Sequence, residues 1–466
     1  MRKIMRVFAV VIAAVTIFNT TAFAEPISEP SIYARSAVLY NPDEDTILYE
    51  KNMNSKIYPA SMTKILTALI VLDYFEPDEI ITVGAEVNEV SLDSSKAGHI
   101  KGELLSVETL IRGLIIPSGN DTSVVAACAV AKKTKNDSSL NYSQCISIFS
   151  SMMNEKAKEL GCKNTNFTNP HGYHADDHYT TCYDLAMIVK ESLKNELISK
   201  IAIEKSYNGS GVGDIPVSED AIVQEYSWNS HNLLITGGEY YYQYATGLKT
   251  GFTDQAGSCV AATAEKNGTK LIAIISDSED PNRWVDAKQL FEYGFNDFTK
   301  HQLATYGGTA VNFAIANCKK DDIGTLDLIT KDSYSVYIRN EEAEKITTEI
   351  TILPEYLAEN KDETSSEILL KAPIEDQAAV GEIKFIKDGE VLHTAELYSS
   401  REVQKAGIIQ TFFSIIKSIF SSIFTLKGLI VLAAIIVIIV VILIIRSHRN
   451  SRRYYSPYKF KNNRFR

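Results

Sequence analysis

"CVAATAEKNGTKLIAIIS", residues 259 to 276, sets two apolar runs on either side of Asn267-Gly268. Asn-Gly supplies the positive φ angles of a two-residue hairpin, so the runs read as antiparallel strands. Working outward, "SAVLYNPDEDTILYE", residues 36 to 50, alternates apolar and polar positions around Asn-Pro-Asp-Glu-Asp and reads as a second hairpin. Between the hairpins lie apolar helical patterns, one from about Ala60 and one from Val107 with Ser106 as its cap. The expected class is α/β of the α+β type: an antiparallel sheet flanked by helices, not a parallel doubly wound sheet.

From about 300 to 400 the character changes. Short Val/Ile/Thr-rich runs such as "YSVYIRN", "ITTEITILP" and "GEIKFIKDGEVLHTAELY" alternate with charged or Gly-containing turns, giving a small all-β domain at 299–400. No nucleophile and base pair up there, so a binding or spacer role is expected. In residues 407 to 427, Ile408, Phe412, Ile416, Ile419, Phe420 and Ile423 recur at three- and four-residue steps. That spacing makes 401–427 an amphipathic segment, lying in a membrane interface or packed on the β domain.

The two ends set the expected compartment. Arg2, Lys3 and Arg6 precede an apolar run, and Ala22-Phe23-Ala24 is a small-x-small cleavage site, so 1–24 reads as a signal peptide, an uncleaved signal anchor being the other reading. Residues 428–445 are uncharged and apolar enough for a transmembrane helix, and 446–466 is a basic tail without acidic residues. By the positive-inside rule the expected topology is single-pass in the cell membrane, with the long segment before the span outside and the C-terminus cytoplasmic. The chain carries a net charge of −11 despite that tail, so the exported part is more acidic still and nucleic-acid binding is not expected. Cys128 and Cys259 sit in apolar runs and read as buried small hydrophobes; a Cys162–Cys182 bridge is left open.

Three short elements carry the chemistry. Ser61 and Lys64 are three apart at the start of the "YPASMTKILTALIVL" helix and so share a face. A serine hydroxyl needs a base to become a nucleophile, and a lysine is a base only when burial or a neighbouring cation keeps it neutral. The spacing alone proves little, since Ser414–Lys417 and Ser456–Lys459 repeat it. Ser118-Gly119-Asn120 lies in a polar break, "LIIPSGNDTSVVAACAV", where Pro117 ends one helix and Asp121 caps the next. Ser-x-Asn also occurs at Ser139, Ser206 and Ser227, so location matters more than letters. Lys249-Thr250-Gly251 directly precedes the 259–276 hairpin and is expected on a neighbouring strand, where Lys249 and Thr250 can bind a carboxylate and Gly251 lets a substrate backbone approach.

Together Ser61-Met-Thr-Lys64, Ser118-Gly-Asn120 and Lys249-Thr-Gly251 resemble the three motifs of penicillin-binding proteins and serine β-lactamases. Over roughly residues 30 to 425 the chain is similar to D-alanyl-D-alanine carboxypeptidases of the low-molecular-mass penicillin-binding type, through "ASMTKILTALI", "IIPSGNDTSVVAA", "TGLKTGFTDQAGSCVAATAEKNG" and "GEIKFIKDGEVL". The resemblance implies a peptidase domain at 25–298, Ser61 as acylated nucleophile, Lys64 as general base and Ser118 as proton relay to the leaving amine. It gives Asn120 the substrate amide, Lys249, Thr250 and Gly251 the terminal carboxylate and its strand, and the N–H groups of Ser61 and Phe252 the oxyanion. Arg283 either assists the carboxylate or serves the surface. The implied partners are a peptidoglycan stem peptide as substrate and β-lactams as inhibitors. No cofactor is implied.

Two features depart from the pattern. The chain runs past the amphipathic segment into the apolar span and basic tail. No Glu-x-x-x-Asn element occurs in 160–185, so slow rather than fast β-lactam turnover is expected. His171, His174 and His178 invite a zinc reading, but the spacing lacks His-Glu-x-x-His; a polar loop beside the cleft, running into a helix after Asp184, is expected and no metal. The competing functions are DD-endopeptidase, β-lactamase, and a non-catalytic penicillin-binding envelope sensor.

Overall fold

The structure, a computed structural model, describes residues 29–358, 368–407, 412, 416, 434 and 436–446. The expected signal peptide lies outside them, as do nearly all of the basic tail and most of the amphipathic segment. Residues 436–446 are helical with exposed apolar side chains, and among the described residues no helix is long and apolar enough to cross a membrane. The described residues divide into two compact units, one of 29–301 with 336–344 and one of the remaining described residues.

In the first unit the strands are β1 (Ser36–Asn41), β2 (Thr46–Lys51), β3 (Ile80–Thr82), β4 (Leu104–Ser106), β5 (Ser206–Ser210), β6 (Glu225–Asn229), β7 (Ala245–Thr253), β8 (Gly257–Lys266) and β9 (Thr269–Ser278). The helices are α1 (Lys64–Tyr74), α2 (Val107–Ile115), α3 (Asn120–Lys135), α4 (Tyr142–Glu159), α5 (Cys182–Ser192), α6 (Glu196–Ala202), α7 (Leu233–Thr236) and α8 (Asn282–Asp297). The main sheet has the order β2-β1-β9-β8-β7, every pair antiparallel. Both expected hairpins form, and Asn267 and Gly268 take φ of 53° and 83°, the left-handed pair that the tight turn between β8 and β9 requires.

Alternation along β9 sorts its side chains between two cores. Leu271, Ala273 and Ile275 pack with Trp284, Leu290 and Phe291 of α8, whereas Ile272 and Ile274 join Ile65, Leu66 and Ile70 of α1 on the other face. Helix α1 is apolar on nearly every side and is buried accordingly. Each large aliphatic side chain removed from water there contributes about 1.5–3 kcal/mol. Ser106 caps α2 as expected, its hydroxyl accepting from the Thr109 N–H.

Three local expectations need correction. Ala60–Thr63 is a 3-10 turn and α1 begins at Lys64, so Ser61 stands just ahead of the α-helix. Asp121 does not cap α3: Gly119 occupies that position, and the carboxylate reaches out to other backbone. Helix α5 starts at Cys182, before Asp184, because the Thr181 hydroxyl accepts from the Asp184 N–H and caps it earlier. All six cysteines are free thiols; Cys162 Sγ donates to the Asp184 carbonyl rather than bridging Cys182.

The second unit is a β domain. A six-stranded sheet runs in the order Thr347–Ile352, Ala379–Lys387, Glu390–Ser399, Thr325–Thr330, Thr309–Ala316, Leu369–Lys371, with the last pair parallel. Its core holds Leu326, Leu328, Leu370, Val380 and Leu397.

Candidate active site

The 3-10 turn that carries Ser61 is squeezed from two sides. A Cβ on Gly251 would lie 3.0 Å from the Pro59 carbonyl and 3.3 Å from the Ser61 nitrogen, so β7 passes directly beside the serine's backbone. A Cβ on Gly172, whose φ is +81°, would fall 1.7 Å from the Ala60 carbonyl oxygen. At these two positions only glycine permits the approach. Ala60 itself has φ 47°, and tertiary packing holds it there.

Lys64 is fully buried, and its Nζ has three neighbours: Ser61 Oγ at 2.9 Å, Asn120 Oδ1 at 2.7 Å and the His171 carbonyl at 2.8 Å. Two of these oxygens can only accept. A neutral amine has two N–H groups and one lone pair, so once both N–H groups are donated to Asn120 and His171 the lone pair is left for the Ser61 hydroxyl. Burial, then the charge of Lys249, lowers Lys64 well below the ordinary lysine range, against a smaller opposing pull from Asp121. That direction favours the neutral amine a general base requires.

Lys249 is also buried, on β7, and burial followed by the Arg283 charge brings it down to about 7. Its Nζ donates to the Thr250 carbonyl at 3.0 Å. Strand β7 is an edge of the main sheet, and Phe252 beyond Gly251 is 62% exposed. Arg283 on α8 donates through Nη1 to the Gly251 carbonyl at 3.1 Å and to the Cys259 carbonyl at 3.3 Å, and pairs with Asp280. It thus anchors the strand that carries Lys249.

Ser118 and Asn120 flank Gly119 at the start of α3, both nearly buried, and Ser118 has a left-handed φ of 62°. Asn120 joins this turn to Lys64. The Asp121 carboxylate accepts from the N–H groups of Ala97, Gly98, His99 and Thr122, tying the turn to loop 95–99.

The histidine-rich loop borders the cleft and meets Lys64 through a backbone carbonyl, while its rings bond to neighbouring residues of the fold. His171 contributes its carbonyl, and burial above all lowers its ring to about 3. His178 accepts at Nδ1 from the Thr168 N–H and donates from Nε2 to Thr63; burial first, then the neighbouring charges, lowers it to about 3 as well. Among the described residues no three His, Cys, Asp or Glu side chains form a metal-holding group. The sequence reasoning missed the His171 carbonyl and loop 95–99. A main-chain carbonyl has no residue signature, and "AGHIKGE" resembles any turn.

A family model described as D-alanyl-D-alanine carboxypeptidase matches residues 23–280, and one described as the C-terminal domain of penicillin-binding protein 5 matches residues 298–405. The chain is 29% identical over 417 residues to D-alanyl-D-alanine carboxypeptidase DacF of Bacillus subtilis, covering 88% of this chain and 96% of that one. It is 28% identical over 402 residues to DacD of Escherichia coli, covering 82% and 92%. Among solved structures it resembles penicillin-binding protein 5 of Haemophilus influenzae (TM-score 0.54, 24% identity, 81% of this chain and 100% of that chain), a likeness of fold. A Streptomyces DD-transpeptidase superposes with TM-score 0.51 at 29% identity over 58% of this chain and 99% of that one. Since the first family model spans more than half of the chain, and its residues include Ser61, Lys64, Ser118, Asn120 and Lys249, the chain belongs to the D-alanyl-D-alanine carboxypeptidase family.

Proposed function

We propose that the protein is a serine-type D-Ala-D-Ala carboxypeptidase that removes the terminal D-alanine from peptidoglycan stem pentapeptides through an acyl-enzyme on Ser61. The observation that carries this reading is the buried Lys64 amine with its lone pair toward the Ser61 hydroxyl. Lys64 takes the Ser61 proton as Oγ attacks the carbonyl carbon of the penultimate D-Ala. The new oxyanion accepts from the N–H groups of Ser61 and Phe252, which lie on backbones that pass side by side. Ser118 relays a proton to the departing amine, the C–N bond breaks and free D-alanine leaves. A water then adds to the ester, Lys64 accepting its proton, and Ser61 recovers its hydroxyl hydrogen as the shortened peptide departs.

Asn120 holds the substrate amide, while Lys249 and Thr250 bind the terminal carboxylate and Arg283 adds positive field behind them. In the same reading residues 25–298 are the peptidase, 299–400 a spacer or binding domain and 1–24 an export signal. The uncharged 428–445 spans the cell membrane between an interfacial 401–427 and a cytoplasmic 446–466, supported by the apolar and basic composition of those stretches. β-Lactams acylate Ser61 and are released slowly.

The test is to incubate the full chain with a peptide ending in D-Ala-D-Ala and, separately, with labelled penicillin. Release of D-alanine and a label on Ser61 are expected, both lost in Ser61→Ala, with a rate loss of about a thousandfold or more. Label without D-alanine release would leave a sensor, and rapid penicillin turnover a β-lactamase.

A further inference from the structure

Ser118 is a non-glycine residue in the left-handed region, so its backbone must be held by what surrounds it. Behind it stands a buried polar network that the reaction above does not use. Glu103 and His99 have no side-chain exposure, and His99 Nδ1 lies 2.9 Å from Glu103 Oε1 and 2.8 Å from the Tyr226 hydroxyl. Tyr226 donates to Glu103 Oε1 at 2.7 Å, and Gln224 Nε2 donates to Glu103 Oε2 at 2.6 Å. A carboxylate can only accept, so Nδ1–H of His99 donates to Glu103 and Nε2 is turned to Thr122 Oγ1, 2.9 Å away.

Thr122 Oγ1 lies against the turn together with Asp121 Oδ1 and Ala97 Cβ, which a Cβ on Gly119 would meet at 2.6 and 2.8 Å. The same Cβ would meet Thr122 Oγ1 at 2.4 Å, so the hydroxyl sits directly beneath the central residue of Ser118-Gly119-Asn120. Main-chain contacts on the same loop run parallel to this path. The Asn120 N–H donates to the Ser95 carbonyl at 2.8 Å, and Trp228 Nε1 donates to the Ala97 carbonyl at 2.9 Å. Burying a glutamate is costly unless each oxygen finds donors, and here every donor comes from β6, its neighbouring Gln224 or loop 95–99.

We infer that Glu103, His99 and Tyr226 are positioning residues that act through Thr122 to hold the Ser118 turn in its left-handed conformation, and thereby set the proton relay to the leaving amine. The inference rests on the assignment of Ser118 to that relay. It places none of the three in contact with substrate. Lys249 and Thr250 are on a different strand, so substrate binding through the carboxylate is untouched.

The experiment uses the full chain with His99→Phe and with Tyr226→Phe, each alone and combined with Ser118→Ala. Active sites are counted by labelled penicillin, and kcat and KM are measured with a D-Ala-D-Ala peptide. The expected result is a fall in kcat per active site of about 10–100-fold, from a small displacement of the relay, with KM changed by less than about threefold. Adding either substitution to Ser118→Ala should cost nothing further, since the brace acts through that hydroxyl. A network that served folding alone would lower the number of active sites and leave kcat per site intact.

A kcat per site within about twofold of the parent in both variants, or losses that multiply with Ser118→Ala, overturns the inference. Should His99→Phe fail to fold, Tyr226→Phe decides, because it removes a single hydroxyl. If Ser118→Ala itself keeps the parental kcat, the Ser118 assignment falls and the brace with it. If Ser118→Ala is impaired and the brace variants are not, only the brace falls.

Discussion

In the proposed reaction Lys249 and Ser118 serve the two ends of the departing D-alanine, its carboxylate and its amine, yet their backbones are held in unlike ways. Lys249 rides on β7, whose register against β8 pairs Lys249 with Ala261 and Gly251 with Cys259. The period of two then decides which side chains face the cleft, and the ladder supplies the rigidity. Ser118 sits in a three-residue break with a left-handed backbone, held by side chains that come from residues 95–103, 121–122 and 224–228. A strand keeps its geometry through repeated local bonds, whereas the turn depends on a few specific long-range ones. The first should tolerate side-chain changes and resist backbone crowding; the second should fail when a single polar partner changes.

Crowding the strand is the sharper break. Gly251→Ala would place a Cβ 3.0 Å from the Pro59 carbonyl and 3.1 Å from Ala60 Cβ, pushing β7 and the Ser61 turn apart. A fall of about 100-fold in the rate of Ser61 acylation is expected, measured with labelled penicillin, while the thermal midpoint moves little. On the turn, Asp121→Asn exchanges an oxygen that accepts from Gly98 and His99 for either an amide donor or a single shared acceptor. Acylation should drop by about 30-fold, from a displaced turn. Thermal unfolding should show a loss of about 1–3 kcal/mol, the cost of buried N–H groups left without a partner.

The smallest effect is electrostatic and separates the two lysines by pH. In the proposed reaction Lys64 acts neutral and Lys249 charged. Burial first, and then Lys249's positive field, lowers Lys64 well below the ordinary lysine range. Activity is expected to fall on the acid side as Lys64 is protonated, and carboxylate binding to have an alkaline limb near 7, where Lys249 loses its charge. Above that limb kcat/KM for a D-Ala-D-Ala peptide should fall, approaching about tenfold per pH unit. A peptide with its terminal carboxylate converted to an amide should lack the alkaline limb. Its persistence there would separate Lys249 from carboxylate recognition.

The same contrast explains which parts of the protein could be read in advance. Asn267-Gly268 has few backbone options, so the β8–β9 hairpin was legible from two letters, and β7 followed from its place next to it. Ser61–Lys64 was legible by spacing, but two decoys share that spacing, and the distant Ser118 and Lys249 elements were needed to select it. The start of α1, the cap of α5 and the role of Asp121 were misread by a few residues. Each boundary was moved by a long-range partner or a competing cap: β7 against the Ser61 turn, Thr181 ahead of Asp184, and the N–H groups of loop 95–99 around Asp121.

By itself the amino-acid sequence determined an antiparallel sheet flanked by helices, a following β domain, and the residue types of a serine acylation site in the right order. Periodicity and turn chemistry are local properties, and they survive in one dimension. Tertiary structure alone decided that Lys64 is buried between Asn120 and the His171 carbonyl, so that its remaining lone pair meets Ser61. It alone decided that Lys249 adds to burial in lowering that amine, and that Glu103 pairs with His99 beside the loop that meets the Ser118 turn. Burial and Coulomb interaction depend on distances between residues far apart in the chain, which spacing along it does not encode.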